Sequence, residues 1–254
     1  NEVWIMELIG KGKDEMGAVW VARRMPDDMI SAHANHSRIR QFPLKDKENC
    51  LYSKDVISFA RKKGYFAGKD KDFSFSEAYA PIDFGAKRYC EARVWSFFNK
   101  WAAEDMKPYL PYAMGEDVNP ETKQPIDGIP HEMPLWVKPK QFLSTQDVKD
   151  MMRDHYEGTP MDITEGLGSL PWNMPYRVTP LSYKVDGKEY FNERPISTVQ
   201  SSAIYVAQMR DWLPDYIGGV LWFGNDDANM VALTPIYSCL ESVPDCYSAK
   251  HANA

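Results

Sequence analysis

The spacing of apolar residues changes twice along this chain, and that change limits the folds open to it more than any other feature. Over the first forty residues the apolar positions favour alternation: Val3, Ile5 and Leu8 lead into a polar loop from Gly10 to Gly17, after which Ala18-Val19-Trp20-Val21-Ala22 resumes the pattern. Alternation places successive side chains on opposite faces of a strand. A turn at Pro26-Asp27-Asp28 and a rise from Met29 to Ala34 predict a third strand. Three consecutive strands joined by short loops predict an antiparallel meander.

From Lys54 the period lengthens. Val56, Ile57, Phe59 and Ala60 suit one helix face, and Gly64 stands where a C-cap would end it. Between Ala86 and Trp101, residues Tyr89, Val94, Trp95, Phe97, Phe98 and Trp101 recur at three- and four-residue spacing, which predicts a long helix with an aromatic core face. The Pro-, Gly-, Asn- and Asp-rich stretch from Pro108 to Pro139 reads as an excursion, either a lid or a surface loop. Ser144-Thr145-Gln146-Asp147 is a capping-box variant, and the helix it opens is predicted to run through Met151, Met152 and Tyr156 to Gly158.

Strand character then returns. Leu181 to Val185 and Lys188 to Phe191 flank Asp186-Gly187, a pair that tolerates the positive φ angles of a two-residue hairpin turn. Thr198 to Met209, Gly218 to Phe223 and Val231 to Tyr237 are further strand candidates, with turns at Pro214-Asp215 and Asn225-Asp226-Asp227. Strands, then helices, then strands predict an α+β fold rather than a doubly wound parallel sheet.

Several functions are disfavoured at this level. The 30 basic and 36 acidic residues are spread along the chain, with no clustered Lys/Arg face to meet a nucleic-acid backbone. The richest apolar run, Ile217 to Phe223, has the length of a buried strand and falls far short of the roughly 20 residues that cross a bilayer. No membrane or nucleic-acid partner is expected. The 8 Trp and 14 Tyr raise a glycan- or peptide-binding groove as an alternative, but most sit at helix or strand periodicity and read as core.

Metal and nucleophile motifs are weak. His33 and His36 are three apart, which puts them on opposite faces of a strand, and no further ligand pattern accompanies them. His155 has no second His and Glu at zincin spacing and reads as a surface or satisfied histidine. Gly166-Leu167-Gly168-Ser169 is not a nucleophile elbow. No metal or cofactor is called for. Cys50, Cys90, Cys239 and Cys246 form no CxxC pair; Cys239 and Cys246 read equally well as a small disulfide or as two separate thiols.

Longer motifs carry more. Asn1-Glu2-Val3-Trp4-Ile5-Met6-Glu7, Trp20-Val21-Ala22-Arg23-Arg24, Pro26-Asp27-Asp28 and Ala34-Asn35-His36-Ser37-Arg38-Ile39 follow in order. So do Asn49 to Ser53, Arg153 to Pro160, Pro175-Tyr176-Arg177, Glu193-Arg194-Pro195-Ile196 and Gly218 to Gly224. Together they resemble the central part of the dipeptidase A family, N-terminal-nucleophile cysteine peptidases similar in fold to penicillin V acylase and bile salt hydrolase. The resemblance implies an αββα sandwich of two facing antiparallel sheets, with residues 1–254 as the central part of one catalytic domain and a helical and loop insertion at about 54–160.

It also implies a secreted or periplasmic enzyme hydrolysing dipeptides through an N-terminal cysteine outside these residues. Because the chain opens at Asn1 with neither initiator Met nor leader, it reads as cut from something longer and is expected to be inactive alone, needing the remainder of its polypeptide. In such chemistry the terminal thiol attacks the amide carbonyl and its own α-amine takes the proton, so no catalytic histidine is needed. An amide acylase acting on another small amide remains the alternative, since fold does not set substrate.

Site candidates follow from the same resemblance. Asn35 matches the strand-end Asn of the related acylases and is the candidate oxyanion donor, a role worth about 3 kcal/mol; otherwise it caps a strand end or turn. Arg194 is the second catalytic candidate, lowering the thiol pKa or pairing with a dipeptide carboxylate, unless it forms an ordinary salt bridge with Glu193 or another acid. Arg38 and Gln200 are the candidate substrate-binding groups near those motifs.

Overall fold

The alternating stretch at the start builds a ladder. β1 (Trp4–Gly10) pairs antiparallel with β2 (Ala18–Arg24) from Trp4↔Arg24 to Gly10↔Ala18. The computed structural model describes residues 2–13, 15–177, 182–243 and 245–248, without the side chains of Leu167 and Cys246. Its contacts divide into two units: Asn1–Phe142 with Thr179–Pro195, and Leu143–Val178 with Ile196–Ala254.

In the first unit the predicted third strand does not join the meander. Only Ile30–Ser31 (β3) is extended, while the place beside β2 goes to β4 (Cys50–Tyr52), giving the order β1-β2-β4. β3 instead pairs with β5 (Trp136–Val137), inside the stretch read as an excursion. The reason lies just past β3. The amides of Arg38 and Ile39 donate to the Glu7 side chain rather than to a neighbouring strand, so the chain curls into a loop.

One face of this sheet carries Ile5, Glu7 and Ile9 from β1 with Val19 and Val21 from β2. Onto that face pack Val56, Phe59 and Ala60 of α1 (Val56–Lys62), together with Ile39, Phe42, Phe73 and Phe75. Gly64 ends the α1 turn at φ +76°, the left-handed conformation its position predicted. The other face carries Met6, Leu8 and Leu51, which are exposed.

Short helices follow. α2 (Phe75–Tyr79) and α3 (Phe84–Ala86) are capped by the side chains of Ser74 and Asp83, which accept from the Glu77 and Ala86 amides. A π turn over Lys87–Glu91 then leads into α4 (Ala92–Met106), the predicted aromatic helix, interrupted by non-helical backbone at Ala102. Val94, Trp95, Phe98 and Trp101 are buried, as their spacing requires. The 108–139 stretch holds α5 (Leu110–Ala113) and an isolated bridge from Val118 to Pro125.

The Asp186-Gly187 hairpin forms as expected. β6 (Ser182–Val185) and β7 (Lys188–Phe191) meet across a turn with φ of 51° and 77° at its two central residues. The expected start at Leu181 lies outside the described residues. Phe191 closes against Phe84 and Tyr89, with ring centroids 5.6 and 5.9 Å apart.

In the second unit, α6 (Thr145–Met151) begins with the expected capping box between Ser144 and Asp147 but stops a full turn or more before Gly158. After it the chain turns to bury His155, whose amide and Nδ1 both engage the Glu157 carboxylate, at 2.7 and 3.0 Å. His155 is therefore a buried residue beyond the helix, not a surface one within it. β8 (Ala203–Met209), β9 (Gly219–Asn225) and β10 (Thr234–Tyr237) form an antiparallel sheet in the order β10-β9-β8. Ile204, Val206 and Val220 are buried on its inner face, where Lys149 of α6 sits 3.1 Å from the Trp222 ring centroid. The pairing weighed for Cys239 lies outside the described residues, because the Cys246 side chain is not among them. Segregated antiparallel sheets with helices make the fold α+β.

Candidate active site

Glu7 is an acid at an inward position of an otherwise apolar strand face, and it organises the loop that carries Asn35. Its Oε1 accepts from the backbone amides of Arg38 (2.6 Å) and Ile39 (2.9 Å) and meets His33 Nε2 at 2.9 Å, while Oε2 accepts from Ser37 Oγ. Burial pushes the Glu7 carboxyl up, but His33, Ser37 and the two backbone donors together outweigh it and hold the group below its ordinary 4.5. The carboxylate is thus the fixed point of residues 33–39.

Arg38 braces the same loop from inside. Its Nε donates to Glu91 Oε1 at 2.8 Å, Nη1 to Ala32 O at 3.1 Å and Nη2 to Pro134 O at 3.0 Å, with the guanidinium 5.6 Å from the Phe98 ring centroid. Both Arg38 and Glu91 are buried, so the pair ties the loop to the end of the π turn.

Asn35, by contrast, is exposed. With His33, Ala34, His36 and Ser37 it lines a groove of about 400 Å³ that runs beside Ile5 to Ile9 of β1. Its Oδ1 accepts from Arg93 Nη2 at 2.7 Å. Because a guanidinium can only donate, the carboxamide oxygen must face Arg93 and the amide nitrogen must face away.

His36 also lines a second cavity of about 270 Å³, together with Arg40, Glu91, Tyr112, Asp117 and His131 among others. Lys87 Nζ donates to both Asp117 oxygens at 2.7 Å, and His131 Nδ1 meets Asp117 Oδ2 at 3.0 Å. Arg40 bridges Glu77 and Glu132 at 2.8 and 2.7 Å. Burial pushes the Tyr112 hydroxyl well above its ordinary range. Among the described residues, neither ring nitrogen of His36 has a hydrogen-bond partner.

The family model for peptidase family C69 matches residues 1–254. The chain belongs to peptidase family C69. It is 25% identical over 238 residues to a probable dipeptidase of Salmonella dublin, covering 93% of this chain and 45% of that protein. It is 24% identical over 247 residues to a probable dipeptidase of Latilactobacillus sakei, covering 97% of this chain and 43% of that protein. With the probable dipeptidase A of Streptococcus pyogenes serotype M3 (strain SSI-1) it shares 25% identity over 260 residues, 100% of this chain and 46% of that protein. The C69 chain therefore spans a little under half the length of these relatives.

Of the residues singled out in the C69 sequence, Asn35 and Arg38 share one loop but face different surroundings, one the groove and the other the interior. Arg194 is half-buried in the first unit and follows Glu193, whose carboxylate accepts from the buried Arg88. Gln200 belongs to the second unit, where it is exposed and its Oε1 accepts from Thr198 Oγ1. Glu7, Glu91 and Arg93 were not singled out. An acid between Ile5 and Ile9 at the inward period was the one available signal for Glu7; nothing local marks Arg93.

Among the described residues no helix is long and apolar enough to cross a membrane. Cys50 is buried, and burial pushes its thiol above the ordinary 9.0, the opposite of what a nucleophile needs.

Proposed function

We propose that this chain forms part of the active site of a dipeptidase, in which the Asn35 amide donates to the oxyanion formed when a cysteine thiol attacks a dipeptide carbonyl. The observation that carries this reading is the orientation of Asn35: its oxygen is held by Arg93, so its N–H donors face away from that cation, on a residue that lines the groove. Family membership and the dipeptidase names of the relatives support the reaction class.

The attacking thiol in this proposal belongs to an N-terminal cysteine outside these residues, whose own α-amine accepts the proton. The greater length of the relatives supports it, as does the buried, poorly ionising Cys50. Attack forms the C–S bond and moves the carbonyl electrons onto oxygen, where a preorganised donor stabilises charge that is absent from the ground state. Collapse then expels the amine, which takes the proton, and water releases the acyl group. Arg194 is proposed to act on the thiol or on the dipeptide carboxylate, and Gln200 on substrate, while Arg38 shapes the site by holding the Asn35 loop in place.

For the fold, we propose that both units serve one catalytic domain of the αββα type, enclosing the helical and loop insertion at about 54–160. The sheet β1-β2-β4 supports this: one face packs on the helical core, yet the other carries exposed Met6, Leu8 and Leu51, as in a sheet covered on both sides. A secreted or periplasmic location is part of the same proposal.

The test is steady-state kinetics of Asn35→Ala in the full-length protein. Loss of an oxyanion donor predicts kcat lower by roughly 10²–10³ with KM within about threefold. A variant with wild-type kcat rules the assignment out, and faster cleavage of acylated amines than of dipeptides moves the substrate class to amide acylases.

A further inference from the structure

We propose that Arg93 is a positioning residue for this reaction, holding the Asn35 carboxamide in its donating orientation and strengthening its N–H groups. The inference rests on the reading of Asn35 as the oxyanion donor.

Asn35 lies on an exposed loop, and a side-chain amide there would ordinarily sample several rotamers with either end toward the groove. Arg93 removes that freedom. Its Nε donates to Tyr89 O at 2.6 Å, four residues back on its own helix, and its Nη2 donates to Asn35 Oδ1 at 2.7 Å. A guanidinium is planar, so fixing it at Nε fixes where Nη2 points. The anchor sits in the π turn of Lys87–Glu91, where the Ala92 amide reaches Lys87 O five residues back and Tyr89 O accepts from the Arg93 side chain.

Charge adds a second effect. A cation on Oδ1 draws electron density from the amide and makes its N–H groups stronger donors, so the one contact both aims and polarises Asn35. Its benefit grows as negative charge develops on the substrate oxygen. Arg93 is therefore expected to act on turnover rather than on ground-state binding.

The experiment compares Arg93→Ala, Arg93→Lys, Asn35→Ala and the Arg93→Ala/Asn35→Ala double variant in the full-length protein, with a dipeptide substrate. Arg93→Ala is expected to lower kcat roughly ten- to a hundredfold with KM within about twofold. Arg93→Lys, which keeps a charged donor, should recover part of the loss, and the double variant should be no slower than Asn35→Ala alone. A dipeptide aldehyde that adds the thiol reversibly should lose affinity with Arg93→Ala in proportion to kcat. Competition by an uncleaved dipeptide analogue should stay unchanged. If Arg93→Ala does not fold, Arg93→Gln reads the same loss.

If Asn35→Ala keeps wild-type kcat, the oxyanion assignment itself is lost. If Asn35→Ala is slow but the Arg93 variants turn over normally, if the two losses multiply, or if Lys is no better than Ala, the positioning role alone is overturned.

Discussion

Replacing Glu7 with Leu removes the carboxylate that meets His33, Ser37 and the Arg38 and Ile39 amides, leaves the Arg38 guanidinium contacts in place, and keeps a side chain of similar size. The Arg38 and Ile39 amides, both on buried residues, would lose their only described partner, at about 1–3 kcal/mol each. Burial of the new apolar side chain offsets roughly 1–2 kcal/mol of that. The net expectation is a destabilisation of about 3 kcal/mol. Glu7→Gln keeps an oxygen for the two amides but loses the charge and turns the Ser37 acceptor into an NH2 donor, so about 1–2 kcal/mol is expected.

Urea unfolding of the full-length protein measures the difference, and hydrogen exchange at the Arg38 and Ile39 amides localises it. The pH dependence supplies an independent sign. The folded Glu7 carboxyl lies below its ordinary 4.5, so its contribution is complete above that value and is lost as pH falls through the lower folded value. Glu7→Gln should lack this acid-side loss. A Glu7→Leu protein within about 1 kcal/mol of wild type, with Arg38 and Ile39 still protected, would refute the claim that Glu7 organises the loop.

Two further outcomes test the surroundings. Lys87→Met should cost about 1.5–3 kcal/mol in urea unfolding, because the buried Asp117 carboxylate loses both lysine contacts and keeps His131 Nδ1, and adding Asp117→Leu should restore part of it; a Lys87→Met loss below about 1 kcal/mol counts against a buried ion pair there. At pH 8 Cys50 should resist iodoacetamide in the folded protein and react once urea exposes it, since burial both shields the thiol and raises its pKa; rapid labelling of native protein would contradict that placement.

Much of the local structure was legible in the chain. Alternation at Ile5, Val19 and Val21, the three-to-four spacing from Val94 to Trp101, the Ser144–Asp147 box and the Asp186-Gly187 turn each depend on neighbours a few residues away. Those neighbours are written next to one another. Where local rules failed, the competing partner was distant. Residues 32–34 were read as strand, but Glu7, some thirty residues away, takes the amides that follow them, and the excursion after Pro108 supplies β5 to β3. The early end of α6 is the exception, because its competing partner is local: the His155 amide and ring engage Glu157 two residues on, in place of continuing the helix.

Local patterning was enough for the α+β character and the turn chemistry, and ordered motifs for the family and for Asn35 as a candidate. The folded chain adds how Asn35 is held: its oxygen faces Arg93, Arg38 turns inward to Glu91, and a buried carboxylate pins the loop between them. The difference is one of range. Periodicity and capping act over one or two turns of chain, whereas the direction of an amide is set by whichever donor the fold brings within hydrogen-bond distance, here 58 residues along the chain.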